Sequence, residues 1–339
     1  FKVKVPENFN FGYDVVDAAG KINGVHAVDT LDGKEYQIKS KVVVNATGVF
    51  VDDVMKMDEC DTRRKVRPSQ GVHLVVDSKF LGGRSALMIP KTKDGRVLFG
   101  VPWHGKVVLG TTDTPLNEAS LEPRALEEEV DFILDQAGQY LDRKPTRADV
   151  LSIFAGLRPL AAPTHADSKK TKEISRNHKI YRSKSGLLTI TGGKWTTYRA
   201  MAEDVINQAI VIGGLSPAEC VTKNLRVHGY TKEQFDENDW NYVYGSDAGK
   251  IQKMIEKEPS FAEKLYEGYT FTAAHVVWAA REEFAQNIED VLARRVRMLF
   301  LDARAALKIA PKVASVLAAE LGKDKTWEQA QIADFNRLA

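Results

Sequence analysis

The run Gly192-Gly193-Lys194-Trp195-Thr196-Thr197-Tyr198-Arg199 stands between a strand-like apolar stretch and a helical periodicity. Two glycines let backbone approach a ligand closely, and a threonine at the helix start is expected to cap it. The exposed N–H groups and positive dipole end of such a helix suit an anionic ligand edge, to which Lys194 adds a full charge. A plain strand-to-helix turn has the same composition. Ala46-Thr47-Gly48 ends the β-branched run Val42-Val43-Val44 and offers small residues where a cofactor could lie against a sheet, or where a helix packs tightly. Arg158, in Ala155-Gly156-Leu157-Arg158-Pro159-Leu160, carries a guanidinium among apolar and rigid neighbours. That placement is costly unless the charge meets an anion, either a salt-bridge carboxylate or a ligand. His73 sits in the strand-like Gln70-Gly71-Val72-His73-Leu74, where packing is the default role of an imidazole. Arg176 belongs to a basic stretch with Lys169, Lys170, Lys172, Lys179 and Arg182, most of whose charges are expected to be solvated.

Several chemistries lose ground. Gly100-Val101-Pro102-Trp103-His104-Gly105-Lys106 imitates the spacing of a phosphate loop, but Val107 stands where a magnesium-binding hydroxyl is needed and Pro102 removes an N–H, so a nucleotide triphosphatase is rejected. No Gly-x-Gly occurs, so whatever cradles a pyrophosphate is expected to lie outside this sequence. The seven histidines show no metal-ligand spacing, and no Gly-x-Ser-x-Gly elbow is present. With 48 basic and 46 acidic side chains, net +2, no global field recruits nucleic acid. Cys60 and Cys220 are the only cysteines, which excludes a disulfide framework and is compatible with a reducing compartment. The apolar stretch from Tyr269 to Ala280 is too short to span a bilayer. The chain opens at Phe1, and the start is expected to be a cut inside a domain.

The elements that must position these residues follow from periodicity. Lys21 to Val28 and Glu35 to Ile38, separated by turn signals, read as an antiparallel meander. Val42-Val43-Val44 reads as a strand buried on both faces of a partly parallel sheet. Strands are expected at Val72 to Val76, Ala86 to Pro90, Arg96 to Gly100 and Val107 to Thr112, then a helix over Leu126 to Leu141 with Val130, Ile133, Leu134 and Ala137 on one face. Strands return at Leu151 to Phe154 and Leu187 to Thr191. A helix enters at Thr196 with Tyr198, Met201, Ala202, Val205, Ile206 and Ala209 as its buried face. Beyond about 225 the pattern is helical, with Val291, Val296 and Leu299 among the apolar positions and an Asp290 to Arg294 ion pair.

In this order Val-Asn-Ala-Thr-Gly at 44–48, Gln-Gly-Val-His at 70–73, Leu-Gly-Thr-Thr-Asp-Thr at 109–114, Gly-Leu-Arg-Pro-Leu at 156–160 and the run at 192–199 resemble FAD-dependent glycerol-3-phosphate dehydrogenase. The segment from Ala280-Arg-Glu-Glu through Leu292-Ala-Arg-Arg-Val-Arg resembles that family's helical domain, so the match covers nearly the whole chain. The resemblance implies an α/β and α+β multidomain fold. Its parts would be an amino-acid-oxidase-like FAD domain over 1–59 and 151–220, an inserted β-rich substrate domain over 60–150, and an all-α domain over 225–339. The family's first, glycine-rich βαβ unit is expected to be missing, leaving this chain alone silent in catalysis and weak in FAD binding.

It further implies oxidation of sn-glycerol 3-phosphate to dihydroxyacetone phosphate, with quinone as electron acceptor. His73 matches the active-site histidine, a candidate base. Arg158 and Arg176 match substrate-holding positions, with Arg158 sharing catalytic work. Lys194 serves both substrate and cofactor. FAD is expected to lie against Ala46, Thr47, Gly48, Gly192, Gly193, Lys194, Thr196 and Thr197. The resemblance is compatible with a cytoplasmic protein, peripheral on the inner face of the membrane, and with a homodimer. A glycerol-3-phosphate oxidase using oxygen, an amine or amino-acid oxidase, and a docking role for 225–339 are the alternatives.

Overall fold

The computed structural model describes residues 16–93, 95–162, 177–234, 236 and 239–339. Arg176, Lys169, Lys170 and Lys172 lie outside the described residues. In chain order the strands are β1 (Gly24–Val28), β2 (Glu35–Lys39), β3 (Val44–Asn45), β4 (Val66–Asp77), β5 (Leu87–Ile89), β6 (Leu98–Trp103), β7 (Lys106–Gly110), β8 (Thr114–Pro115), β9 (Val150–Ala161), β10 (His178–Arg182) and β11 (Leu188–Gly192). The helices are α1 (Val51–Asp58), α2 (Glu127–Gly138), α3 (Tyr198–Ile212), α4 (Ala248–Lys257), α5 (Ala273–Glu282), α6 (Met298–Leu301), α7 (Ala303–Leu321) and α8 (Lys325–Leu338). The chain divides into two compact units, Phe1–Gln70 with Asp113–Pro123 and Gly156–Leu225, and Gly71–Thr112 with Arg124–Ala155 and Arg226–Ala339.

In the first unit β1 and β2 form the expected antiparallel pair, Val28 opposite Glu35. The order β10-β11-β3 makes a second sheet, antiparallel between β10 and β11 and parallel between β11 and β3. Leu188 and Ile190 of β11 pack on Val205 and Ala209 of α3. Two expectations need correction here. Val42, Val43 and Val44 are half-exposed, not buried on both faces, because β3 has a paired strand on one side only among the described residues. The α3 face also narrows: Val205 and Ala209 are buried, whereas Tyr198 is 58% and Ile206 52% exposed, because the sheet beneath covers only part of that side.

The second unit carries two cores. Val72, Leu74 and Val76 alternate along β4 onto α2, whose Val130, Ile133, Leu134 and Ala137 recur at helical spacing. Fully burying each of these valine, leucine and isoleucine side chains contributes roughly 1.5–3 kcal/mol. Glu129, buried near the start of α2, accepts the Leu126 N–H at 3.0 Å and the Thr112 hydroxyl at 2.9 Å. Thr112 Oγ1 in turn accepts the Val72 N–H at 3.0 Å, so α2 is tied to β4 by satisfied polar groups. β6 and β7 join through His104 and Gly105, both at positive φ (47° and 70°), a backbone geometry that matches hairpin twist. The segment that imitated a phosphate loop is therefore a hairpin. The helical core gathers Phe271, Trp278, Leu292, Val296, Met298, Ile309 and Leu317. Residues Asp290–Arg295 form a π-helical turn, in which Asp290 and Arg294 make the expected ion pair at 3.0 Å.

Candidate active site

Strands β3 and β11 run side by side in the same direction, Leu188 opposite Val44 and Thr189 opposite Asn45. Their following loops, Ala46-Thr47-Gly48 and Gly192-Gly193-Lys194, therefore leave the sheet at the same edge, the carboxyl ends of parallel strands, where open α/β sheets bind ligands. Asn45 organises this edge. Its Nδ2 donates to the Val51 carbonyl at 3.0 Å and to Thr189 Oγ1 at 3.3 Å, and its Oδ1 accepts the Thr47 hydroxyl at 2.7 Å. Asn45 is almost fully buried, so the bend after β3 is fixed from inside the sheet. Sequence reading passed over it, although an amide at the end of a β-branched run is a polar group that needs partners.

Gly48, Gly192 and Gly193 all have positive φ (64°, 76° and 80°), and space is open where a Cβ on Gly48 would stand. Ala46, Thr47, Lys194, Thr196 and Thr197 are exposed along this rim. Beside Gly192 the Thr191 hydroxyl is buried, with no hydrogen-bond partner among the described residues. These features fit a polar, planar cofactor edge. The threonine cap, however, is corrected. Trp195–Thr197 form a 3₁₀ turn, α3 begins at Tyr198, and the Thr197 hydroxyl donates to the Lys194 carbonyl at 3.0 Å without capping the helix. The local bond back along the chain competes with the cap.

Arg158, on β9, stands 3.6 Å from the Asp113 carboxylate, and Asp113 also accepts the Ser69 hydroxyl in a short contact. About a third of the Arg158 side chain is open to solvent. The carboxylate reading of Arg158 is therefore met in the fold, at a side chain that keeps contact with solvent. Asp113 lies in the Leu-Gly-Thr-Thr-Asp-Thr segment, but nothing in its spacing announced Arg158 as its partner.

His73 is half-buried on the face of β4 opposite α2. Its imidazole lies over Gly110 of β7, where a Cβ would come within 2.4 Å of His73 Cδ2, and it stacks on Phe154 with centroids 5.0 Å apart and planes 17° from parallel. The fold thus brings the Ala46–Gly48 and Gly192–Lys194 loops to one edge, sets Arg158 with Asp113 and Ser69, and sets His73 with Gly110 and Phe154.

The family model described as "FAD dependent oxidoreductase" matches residues 11–199. The chain belongs to the FAD-dependent oxidoreductase family. FAD is accordingly its cofactor. A second model, "C-terminal domain of alpha-glycerophosphate oxidase", matches residues 188–329 of this oxidoreductase. A mitochondrial glycerol-3-phosphate dehydrogenase of Arabidopsis thaliana is 38% identical over 93% of the chain, which covers 54% of that relative. The mitochondrial glycerol-3-phosphate dehydrogenase of Homo sapiens is 35% identical over 92% of the chain and 45% of its own length. The chain thus spans about half the length of these relatives. The structure of the glycerol-3-phosphate dehydrogenase of Bacillus halodurans complexed with FAD superposes with a TM-score of 0.81 at 28% identity, over 97% of this chain and 67% of that one. The multidomain α/β and α+β fold expected from the sequence agrees with these likenesses. No described helix is long and apolar enough to cross a membrane.

Proposed function

We propose that this flavoprotein oxidises sn-glycerol 3-phosphate to dihydroxyacetone phosphate. The observation that carries the reading is the shared edge of β3 and β11, from which two glycine-bearing loops leave together, their glycines at positive φ. The relatives' activity supplies the substrate. In this reading Ala46, Thr47, Gly48, Gly192, Gly193, Lys194, Thr196 and Thr197 hold FAD, which when bound supplies a two-electron acceptor for the hydrogen on C2. Arg158, anchored by Asp113, holds the substrate with Arg176 through bidentate contacts to phosphate or oxygen. His73 takes the hydroxyl proton as the carbonyl forms, its ring orientation fixed by Phe154 and Gly110. Lys194 would supply a positive charge at the FAD edge it helps to hold.

The proposal extends to quinone as the final acceptor, to a cytoplasmic protein held peripherally on the inner face of the membrane, and to pairing of two copies. The division into an FAD domain over 1–59 and 151–220, a substrate domain over 60–150 and a helical domain over 225–339 belongs to it as well. Anaerobic mixing of the whole flavoprotein with glycerol 3-phosphate should bleach the flavin, and added quinone should restore its colour faster than oxygen does. Bleaching by an amino acid but not by glycerol 3-phosphate would overturn the substrate. Faster recovery in oxygen would make the protein an oxidase.

A further inference from the structure

The helical segment around α6 reaches the candidate base through two aromatic rings. Phe154 stacks flat on His73, and Phe300 of α6 meets Phe154 edge-on, centroids 5.3 Å apart and planes at 80°. The same stretch of β9 is tied down a second time, because the Ser152 hydroxyl donates to the Leu299 carbonyl at 2.6 Å. Arg304 repeats the pattern, donating to the Ala148 carbonyl at 3.1 Å just ahead of β9.

The backbone that delivers Phe300 is irregular. A π-helical turn at Asp290–Arg295 is followed by Arg297 in the left-handed region (φ 57°), and only then by the single turn of α6. A non-glycine residue there costs roughly 1–2 kcal/mol, and persists only when surrounding packing over-determines it. That packing is present: Val296, Met298 and Leu301, which bracket Arg297 and Phe300, are essentially fully buried. The irregularity is therefore specified, and what it delivers is a ring against the ring beneath His73. An edge-to-face pair followed by a flat stack restrains both tilt and height of the imidazole, since offset-stacked and edge-to-face contacts are the favoured arrangements of aromatic rings and both are made here. Gly110 lies against the ring as well, because any side chain there would displace His73.

We propose that Phe154 and Phe300 are positioning residues for His73, so that the C-terminal helical segment sets the geometry of proton removal and is part of the catalytic apparatus, not only an assembly module. The inference rests on the reading of His73 as base. Misplacing a reacting group by about 1 Å costs up to about a hundredfold in rate. Phe154→Leu, which keeps apolar volume and removes the ring, should slow anaerobic flavin reduction by glycerol 3-phosphate about tenfold in the whole flavoprotein. Phe300→Leu should slow it about threefold, and Phe154→Tyr, which keeps the stack, should restore it. Independently of turnover, the His73 Cε1–H resonance of histidine-labelled holoenzyme, assigned by its loss in His73→Asn, should move downfield in Phe154→Leu as ring-current shielding disappears. It should move by a smaller amount in Phe300→Leu. An unmoved resonance and unchanged reduction in both leucine variants would overturn the proposal. A moved resonance with normal reduction in His73→Asn would instead overturn the base assignment and leave the stack in place. If Phe154→Leu does not fold, the same two readouts on Phe300→Leu decide, because that variant leaves Phe154 where it is.

Discussion

Asp113 pairs with Arg158: its carboxylate stands 3.6 Å from the guanidinium while also accepting the Ser69 hydroxyl. Both side chains are partly exposed, so the pair contributes at most about 1 kcal/mol. Asp113→Asn should accordingly raise KM for glycerol 3-phosphate by up to about fivefold with a smaller change in kcat, measured by dye-linked kinetics of the whole flavoprotein. Arg158→Lys should do more, losing most of its turnover, because an ammonium cannot reproduce a planar fork. Unaltered kinetics in Arg158→Lys would remove Arg158 from substrate binding.

His73→Asn should slow flavin reduction on the order of a hundredfold or more, the range for loss of a general base. Stopped-flow reduction without oxygen reads the step directly. A normal rate with weaker substrate binding would leave His73 a contact and not a base.

Gly193→Val should lower the FAD content of the purified flavoprotein. At φ 80° a branched side chain is strained, and its Cβ would fall 2.5 Å from Met201 Sδ and 3.3 Å from His178 Cβ. Met201 can swing aside, but the backbone cannot relax without moving the loop. A flavin-to-protein ratio equal to that of the parent would show the turn to be structural only.

A pH effect should come from His275, far from these loops in sequence. It is 1% exposed, and burial pushes its pKa down from 6.5 to about 4. Its Nδ1 accepts the Thr272 N–H at 3.0 Å, so Nε2 carries the hydrogen and donates to Asn241 Oδ1 at 2.7 Å. Between pH 6.5 and 4 the unfolded chain takes up a proton that the folded one refuses. Stability is therefore complete above 6.5 and falls as pH drops toward 4, by about 3 kcal/mol in all. Urea midpoints across this window should fall less steeply for His275→Gln than for the parent. Parallel slopes would exclude His275 as the source.

The parts legible in the sequence were those with short-range periodicity. Val72, Leu74 and Val76 alternate, and Val130, Ile133, Leu134 and Ala137 recur at helical spacing, so each face could be assigned from neighbours alone. Where competing local bonds or tertiary partners decide, reading fails. Thr197 looks like a cap until its hydroxyl turns back to Lys194, and Val42 to Val44 look doubly covered until the sheet supplies one neighbour. At the candidate site the glycine loops and Arg158 stand out in the sequence as residue types out of place. Asp113, Asn45 and Phe154 were not, because what each does depends on a partner brought near only by the sheets.

Ser152 and Leu299, joined by one hydrogen bond, are 147 residues apart. During synthesis at roughly 5–20 residues per second, the strand leaves the ribosome some 7–30 s before the segment that clamps it. Through that interval the nascent β4–β9 layer carries Phe154 with no Phe300 against it. The setting of the candidate base thus waits for the segment that carries Leu299 and Phe300, so the order of synthesis puts the strand before the ring that would hold it.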